Sequence, residues 1–145
     1  MVGGKYAMIT YTNSITVEEY NMLRASAGWS VIHPEQILAG LKGSALIIVA
    51  KHNERSVGMA RLVWDGGFAA LIKDVVVLPE YQGQGVGTIL MTQIMDYLKS
   101  KLKPGYIIQV DLMAAKGKEN FYEKMGFLIR PRENRGAGMD LWIKG

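Results

Sequence analysis

Residues 71–98, LIKDVVVLPEYQGQGVGTILMTQIMDYL, decide the fold because three elements follow one another within them. The first eight residues are mostly β-branched or leucine, with only Lys73 and Asp74 between them, which is typical of a largely buried strand. Pro79 ends this strand, since proline has no N–H to give to a sheet ladder. An apolar stripe at helical spacing then begins, formed by Val86, Leu90, Ile94, Leu98 and Leu102. The stretch therefore predicts a strand, a turn and a helix.

The turn between strand and helix, residues 82–88, is rich in glycine. The first N–H groups of a helix have no intrahelical partner, and the helix dipole adds about half a positive charge there. Glycines let such a backbone approach a ligand closely. The turn is therefore predicted to hold an anion, most often a phosphate.

Two common nucleotide motifs do not fit this turn. The dinucleotide fingerprint G-x-G-x-x-G would need glycine where Thr88 or Leu90 stands, depending on where it starts. A P-loop would need a lysine near its end, and no lysine occurs between Lys73 and Lys99. Both nucleotide interpretations are excluded.

The pattern that remains is Q-x-x-G-x-G, formed by Gln82, Gly85 and Gly87 after a strand that ends Val-x-Pro-Glu-Tyr. It resembles the acyl-CoA pyrophosphate loop of the GNAT superfamily of N-acetyltransferases. A second segment, Asn120–Phe127, is similar to the superfamily stretch in which a tyrosine precedes a Gly-Phe pair. The alternative is a helix that merely starts in a glycine-rich turn, and the strand and the tyrosine segment argue against it.

The element order along the chain agrees with that resemblance. Strands are predicted at 6–12, 45–50, 57–64, 68–78, 106–113, 127–130 and 139–144, and helices at about 16–28, 34–43, 86–101 and 118–125. Hairpins dominate early, so the sheet should be mixed. The expected fold is α/β (α+β): a mixed, mostly antiparallel central sheet of about six to seven strands flanked by helices, GNAT-like, in a single domain of residues 1–145.

Composition restricts the class of protein. The chain has 145 residues, 49% of them hydrophobic and 21% charged, which is ordinary for one globular domain. It has no cysteine, so disulfides and thiol nucleophiles are excluded. No apolar run approaches the ~18 residues of a membrane span, and the first residues lack the apolar core of a signal peptide. We therefore expect a cytoplasmic protein that does not enter a membrane.

Charge and histidine content argue against two further classes. The net charge is +4, and residues 99–145 contain ten Lys/Arg against five Asp/Glu. No basic stripe interleaved with aromatics accompanies this surplus, so nucleic acid is not expected as a partner, and steering of a polyanionic cofactor is preferred. His33 and His52 lack neighbouring ligand types, so no metal site is expected.

The resemblance implies acetyl-CoA as cosubstrate. It places the pyrophosphate on the loop formed by Gln82, Gly83, Gln84, Gly85, Val86, Gly87 and Thr88, and the pantetheine amides on the backbone of Val76 and Val77. Where the family often has an asparagine and an alanine before its tyrosine, this chain has Ala115 and Lys118. Lys116 or Lys118 could hold a CoA phosphate instead, or be ordinary surface lysines.

The tyrosine of the second segment is Tyr122, which in the family commonly points at the acyl-CoA sulfur. A phenol with a pKa near ~10 stays protonated at neutral pH, so Tyr122 could act as general acid toward the departing thiolate. The alternative role is packing beside Phe121 and Phe127.

Asp74 is the carboxylate inside the central strand, where similar acetyltransferases often place an acidic residue. Two roles remain open for it: orienting the amine or receiving its proton through water, or pairing with Lys73 or an arginine. Asp111 is a weaker candidate base. Polyamine-type relatives carry two acidic residues here, and Lys73 replaces the first, which argues against a polycationic acceptor.

The implied function is transfer of acetyl from acetyl-CoA to a primary amine, on a small molecule or a peptide, by direct attack. A noncatalytic acyl-CoA-binding regulatory domain is the alternative. Because family members often dimerise and Met139–Lys144 includes candidates for an exposed face such as Trp142, a homodimer is also predicted.

Overall fold

The computed structural model describes residues 8–145, in two compact units that comprise the chain up to Asp111 and Leu112–Gly145. The strands are β1 Ile9–Thr12, β2 Leu46–His52, β3 Arg55–Trp64, β4 Ala69–Val77 and β5 Gln109–Leu112. The helices are α1 Val17–Ser26, α2 Pro34–Lys42, α3 Val86–Ser100 and α4 Glu119–Glu123, with a short 3-10 turn at Pro79–Tyr81.

The five strands form one sheet in the order β1-β2-β3-β4-β5, and the first four are antiparallel neighbours. The early hairpins that the sequence predicts are confirmed, between β2 and β3 and between β3 and β4. After the crossover through α3, the Gln109 N–H donates to the Phe68 carbonyl at 2.7 Å, just before β4. β5 must then run in the same direction as β4, and its four residues flank only the first half of that nine-residue strand.

The expectation of six to seven strands is wrong for the described residues, which form five. Residues 127–130 and 139–144 join no ladder, and the isolated bridge in this part of the chain links Arg132 to Arg135. Alternating apolar residues indicate strand propensity but do not supply a partner strand. The first strand is confirmed at Ile9–Thr12, whereas Tyr6 lies outside the described residues.

Helix α1 begins with a side-chain cap. Thr16 is the N-cap, and its Oγ1 accepts a hydrogen bond from the Glu19 N–H at 3.1 Å. The Glu19 carboxylate accepts from the Thr16 hydroxyl through Oε1 and from the Ser56 N–H through Oε2, each at 3.1 Å. Glu19 therefore both completes the cap and fastens α1 to β3.

Helix α3 packs on β2, β3 and β4 through its predicted stripe. Four stripe residues are buried, namely Val86, Leu90, Ile94 and Leu98. Leu102 is 45% exposed because the helix ends at Ser100. On α2, Leu38 is exposed and Ile37 is buried.

Candidate functional site

The glycine-rich loop joins β4 to α3 through two residues with left-handed backbones. Gly83 has φ +75° and Gly85, the N-cap of α3, has φ +83°. Residues that carry a side chain rarely adopt this backbone conformation, which explains why both positions are glycine. No heavy atom lies within 4 Å of the place where a Cβ would stand at either residue. The loop backbone therefore borders open space.

The start of α3 presents backbone donors. The first helical hydrogen bond runs from the Ile89 N–H to the Gly85 carbonyl at 3.1 Å. The N–H groups of Val86, Gly87 and Thr88 therefore precede the helical ladder. Because the Val86 side chain is buried, only its backbone can face a ligand. This arrangement suits a phosphate or another anion.

Two glutamine side chains fix the loop. Nε2 of Gln82 donates to the Val77 carbonyl at 2.9 Å, and Nε2 of Gln84 donates to the Glu80 carbonyl at 3.1 Å. These bonds tie the loop back to the end of β4. Gln82 and Val77 are thus in direct contact. The family resemblance implies that Gln82 belongs to the pyrophosphate loop and that Val77 binds the pantetheine amides.

Val76 and Val77 pair with Met59 and Gly58 of β3 on one side. On the other side, the second half of β4 extends past β5, which flanks only the first half. The contact of Val76 and Val77 with the pantetheine amides, which the family resemblance implies, stays a prediction. The Val76 side chain itself is buried, so any contribution of this residue is from the backbone.

A second set of contacts, which the sequence analysis did not predict, holds the segment just before the loop. Tyr81 is fully buried, and its hydroxyl lies 2.6 Å from Nδ1 of His52 at the end of β2. Arg55 and Glu80 form an exposed ion pair nearby, with Nη2 and Oε1 3.2 Å apart. The turn between β2 and β3 is therefore linked to the segment that leads into the loop.

Asp74 is buried in β4 and has a left-handed backbone, φ +57°. Its Oδ1 lies 2.7 Å from Nη1 of Arg24, and its Oδ2 lies 3.0 Å from Nε of Arg61. The Tyr20 hydroxyl also donates to Oδ2. Of the two roles left open for Asp74, pairing with an arginine is present, and the predicted proton-acceptor role stays a prediction. The strand pairing is irregular here, between Met59 and Arg61 of β3.

The two arginines that pair with Asp74 also form hydrogen bonds with neighbouring segments. Nε of Arg24 donates to the Ser30 carbonyl at 2.8 Å, and Nη1 of Arg61 donates to Oγ of Ser44 at 3.1 Å. Sequence reasoning missed both arginines. The available signal was Arg61, the one charge in the apolar run of residues 57–64, because a charge buried in a strand needs a partner.

Tyr122 lies in the second unit, on α4, and is 7% exposed. Its ring makes edge contacts with Phe121 and Phe127, at centroid distances of 5.0 and 6.1 Å. Burial raises the pKa of Tyr122 to about 12, so the phenol is protonated at any physiological pH. Tyr122 therefore does pack against Phe121 and Phe127, as the alternative role predicts. This packing does not prevent its protonated hydroxyl from donating a hydrogen bond. Lys118, at the N-cap position of α4, is exposed.

Residues 8–145 contain no group of three His, Asp or Glu side chains that could hold a metal ion. None of their helices combines the length and the apolar character needed to cross a membrane.

Comparison with known proteins gives concordant matches. Residues 43–128 match the family model described as acetyltransferase (GNAT) domain. The uncharacterized N-acetyltransferase ycf52 of Porphyra purpurea is 33% identical over 136 residues, which cover 91% of this chain and 76% of that protein. A chloroplastic GCN5-related N-acetyltransferase 2 of Arabidopsis thaliana is 35% identical over 86 residues, covering 59% of this chain and 32% of that protein.

Among solved structures, a probable acetyltransferase of methicillin-resistant Staphylococcus aureus superposes with a TM-score of 0.83 at 33% identity. The match covers 94% of this chain and all of the other.

Proposed function

The chain belongs to the GNAT acetyltransferase family, and we propose that it moves an acetyl group from acetyl-CoA to a primary amine by direct attack. The observation that supports this most is the loop at the start of α3. Two left-handed glycines there border open space, and the first N–H groups of a 15-residue helix follow them.

In this proposal the pyrophosphate of acetyl-CoA binds the backbone N–H groups of residues 84–88. The pantetheine amides bind the backbone of Val76 and Val77, where β4 continues past β5. Lys118 is exposed and supplies a cation for a CoA phosphate. Gln82 and Gln84 hold the loop in shape through their bonds to main-chain carbonyls.

Chemically, the neutral amine attacks the thioester carbonyl, the new C–N bond forms, and the C–S bond breaks. The proton of the amine leaves to water, and we assign Tyr122 as the general acid that faces the departing thiolate. With a pKa of about 12, this phenol is a weaker acid than the CoA thiol, whose pKa is near ~8.5. Complete proton transfer to the thiolate is therefore unfavourable, and Tyr122 acts through a hydrogen bond to the sulfur that strengthens as the C–S bond breaks. The proton that the amine releases to water balances the proton that the thiolate later takes up.

Asp74 has a positioning role in this proposal. Its two oxygens already accept from two arginines and a phenol, so it holds α1 against β4. Its neighbour Lys73 is exposed and would repel a polycationic acceptor. The proposed acceptor is accordingly a primary amine on a small molecule or a peptide that is not polycationic.

A thiol-release assay tests the proposal. The protein is mixed with acetyl-CoA and a panel of amino acids, small amines and peptides, with reactions lacking amine as the control. We expect release of CoA thiol that depends on one class of amine. Tight acetyl-CoA binding without release for any amine would contradict the enzyme and favour the noncatalytic acyl-CoA-binding domain. The cytoplasmic location stays a prediction, because one relative is named chloroplastic.

A further inference from the structure

Tyr81 is the last residue of the 3-10 turn that leads into the glycine-rich loop, and it is fully buried. Its hydroxyl lies 2.6 Å from Nδ1 of His52, the last residue of β2, and the two rings meet edge to face with their centroids 5.5 Å apart. A neutral imidazole has one unprotonated nitrogen, which can accept a hydrogen bond from the phenol. Because a buried hydroxyl that loses its partner costs free energy, this hydrogen bond fixes the position of the Tyr81 ring.

Tyr81 is joined to the loop through short contacts of the main chain. Its own N–H donates to the Leu78 carbonyl at 2.9 Å, and the N–H of the next residue, Gln82, donates to the Pro79 carbonyl at 3.2 Å. The Gln82 side chain then donates back to the Val77 carbonyl. A shift of the Tyr81 ring therefore moves the residue at which the loop begins.

The contact with His52 connects the loop to the central sheet. The glycines of the loop cannot do so, because Gly83 and Gly85 have no side chain and open space where one would stand. The nearby ion pair of Arg55 and Glu80 is exposed, with 49% and 43% of the two side chains accessible, and exposed pairs contribute little. His52, by contrast, lies in β2 and pairs with β1 on one side and with β3 on the other.

We propose that His52 is a positioning residue for acetyl-CoA, which acts through the Tyr81 hydroxyl to hold the loop in the shape that binds the pyrophosphate. This inference rests on the proposed function, in which the N–H groups of residues 84–88 bind that group. Several donors bind one anion tightly only when they already converge on it. Loss of the His52 hydrogen bond should therefore weaken cofactor binding and leave the acetyl-transfer step unchanged.

Two substitutions of His52 separate its hydrogen bond from its ring. His52→Phe keeps an aromatic ring but removes the nitrogen, so acetyl-CoA should bind roughly 2- to 10-fold more weakly, as expected for the loss of one hydrogen bond. His52→Asn removes the ring but carries an amide oxygen as far along the side chain as Nδ1. It should therefore bind acetyl-CoA more tightly than His52→Phe. Calorimetric titration of acetyl-CoA measures both affinities.

The thiol-release assay at varied acetyl-CoA concentration gives a second readout. His52→Phe should raise KM for acetyl-CoA by a similar factor at unchanged kcat, because the loop binds the ground state and the transition state alike. Tyr81→Phe removes the same hydrogen bond by deleting one oxygen atom, so it should have the same effect, and it tests the proposal even if His52→Phe does not fold. The double variant should bind no more weakly than either single variant, since both changes remove one interaction.

His33→Phe is the matched control. Nδ1 of His33 accepts from the Glu35 N–H at 3.2 Å at the N-cap of α2. The change thus removes a histidine hydrogen bond elsewhere in the fold and should leave the affinity for acetyl-CoA at the wild-type value.

The outcomes separate this inference from the proposed function. Wild-type affinity in every folded variant of His52 and Tyr81 would overturn this inference alone, as would equal weakening by His33→Phe. Weaker binding in the variants of a protein that releases no thiol would contradict the proposed chemistry but support this inference. Absence of acetyl-CoA binding by the wild type would overturn both.

Discussion

Arg24 on α1 places its Nη1 2.7 Å from Oδ1 of Asp74 on β4, and both side chains are almost completely buried. The contact joins residues 50 positions apart and ends at a strand residue with φ +57°. Aspartate and asparagine adopt this conformation more readily than most residues. Arg61 of β3 lies beside the other oxygen of Asp74. This one carboxylate therefore connects α1, β4 and the part of β3 where the strand pairing is irregular.

Asp74→Asn should destabilise the protein by about 3–5 kcal/mol, because it leaves two buried arginines without their counter-charge. Asparagine tolerates the left-handed backbone, so the lost stability should come from the missing charge and not from backbone strain. Urea denaturation measures it, with Asp96→Asn as the control, since Asp96 is an exposed carboxylate on α3. Equal midpoints for the two variants would show that the ion pair contributes nothing to stability.

The pH–rate profile of the same variant separates positioning from proton transfer. If Asp74 only positions α1, the profile of folded Asp74→Asn should keep the shape of the wild-type profile, with every rate reduced by a similar factor. Loss of an acidic limb would instead identify Asp74 as the proton acceptor.

Stability should fall at alkaline pH because of Tyr20 and Tyr122. Burial raises the pKa of each to about 12, and for Tyr20 the hydrogen bond to Asp74 adds to the effect. Unfolded tyrosine ionises near ~10, so each contribution is complete below that pH and is lost as the pH rises from about 10 to 12. Each could reach about 2–3 kcal/mol.

Denaturation curves between pH 8 and 11.5 test this pH dependence. Tyr20→Phe should be less stable at pH 8 but should lose less stability on going to pH 11.5 than the wild type. Tyr106→Phe is the control, because Tyr106 is 56% exposed and its removal should leave the slope unchanged. A Tyr20→Phe slope identical to the wild-type slope would contradict the raised pKa.

The sequence predicted those parts of the fold whose signals are local. The early hairpins and the strand-loop-helix of residues 71–98 each depend on neighbours in the chain. The cluster around Asp74 could not be predicted, because Tyr20, Arg24 and Arg61 meet it only after helix and sheet have packed. The failed strand at 139–144 has the same cause, since its alternation does not specify a partner.

Replacement of Tyr122 by phenylalanine tests the general acid. The ring and its contacts with Phe121 and Phe127 are kept, so acetyl-CoA affinity and the melting temperature should hardly change. Both kcat and kcat/KM should fall together by roughly 10- to 10⁴-fold, as for an interaction made only in the transition state. Tyr106→Phe again serves as control. Wild-type kcat in a folded Tyr122→Phe protein would remove this residue from the mechanism.

The most direct test of the account is calorimetric titration of acetyl-CoA into Gly85→Ala and Gly66→Ala. Both glycines have φ +83° and open space where the Cβ would stand, so both changes should cost a similar ~1–2 kcal/mol of stability. Only Gly85 belongs to the loop, whereas Gly66 lies in the turn between β3 and β4. We expect wild-type affinity for Gly66→Ala and at least roughly tenfold weaker binding, about 1.4 kcal/mol, for Gly85→Ala. Equal affinities in the two variants, or no binding by the wild type, would contradict it.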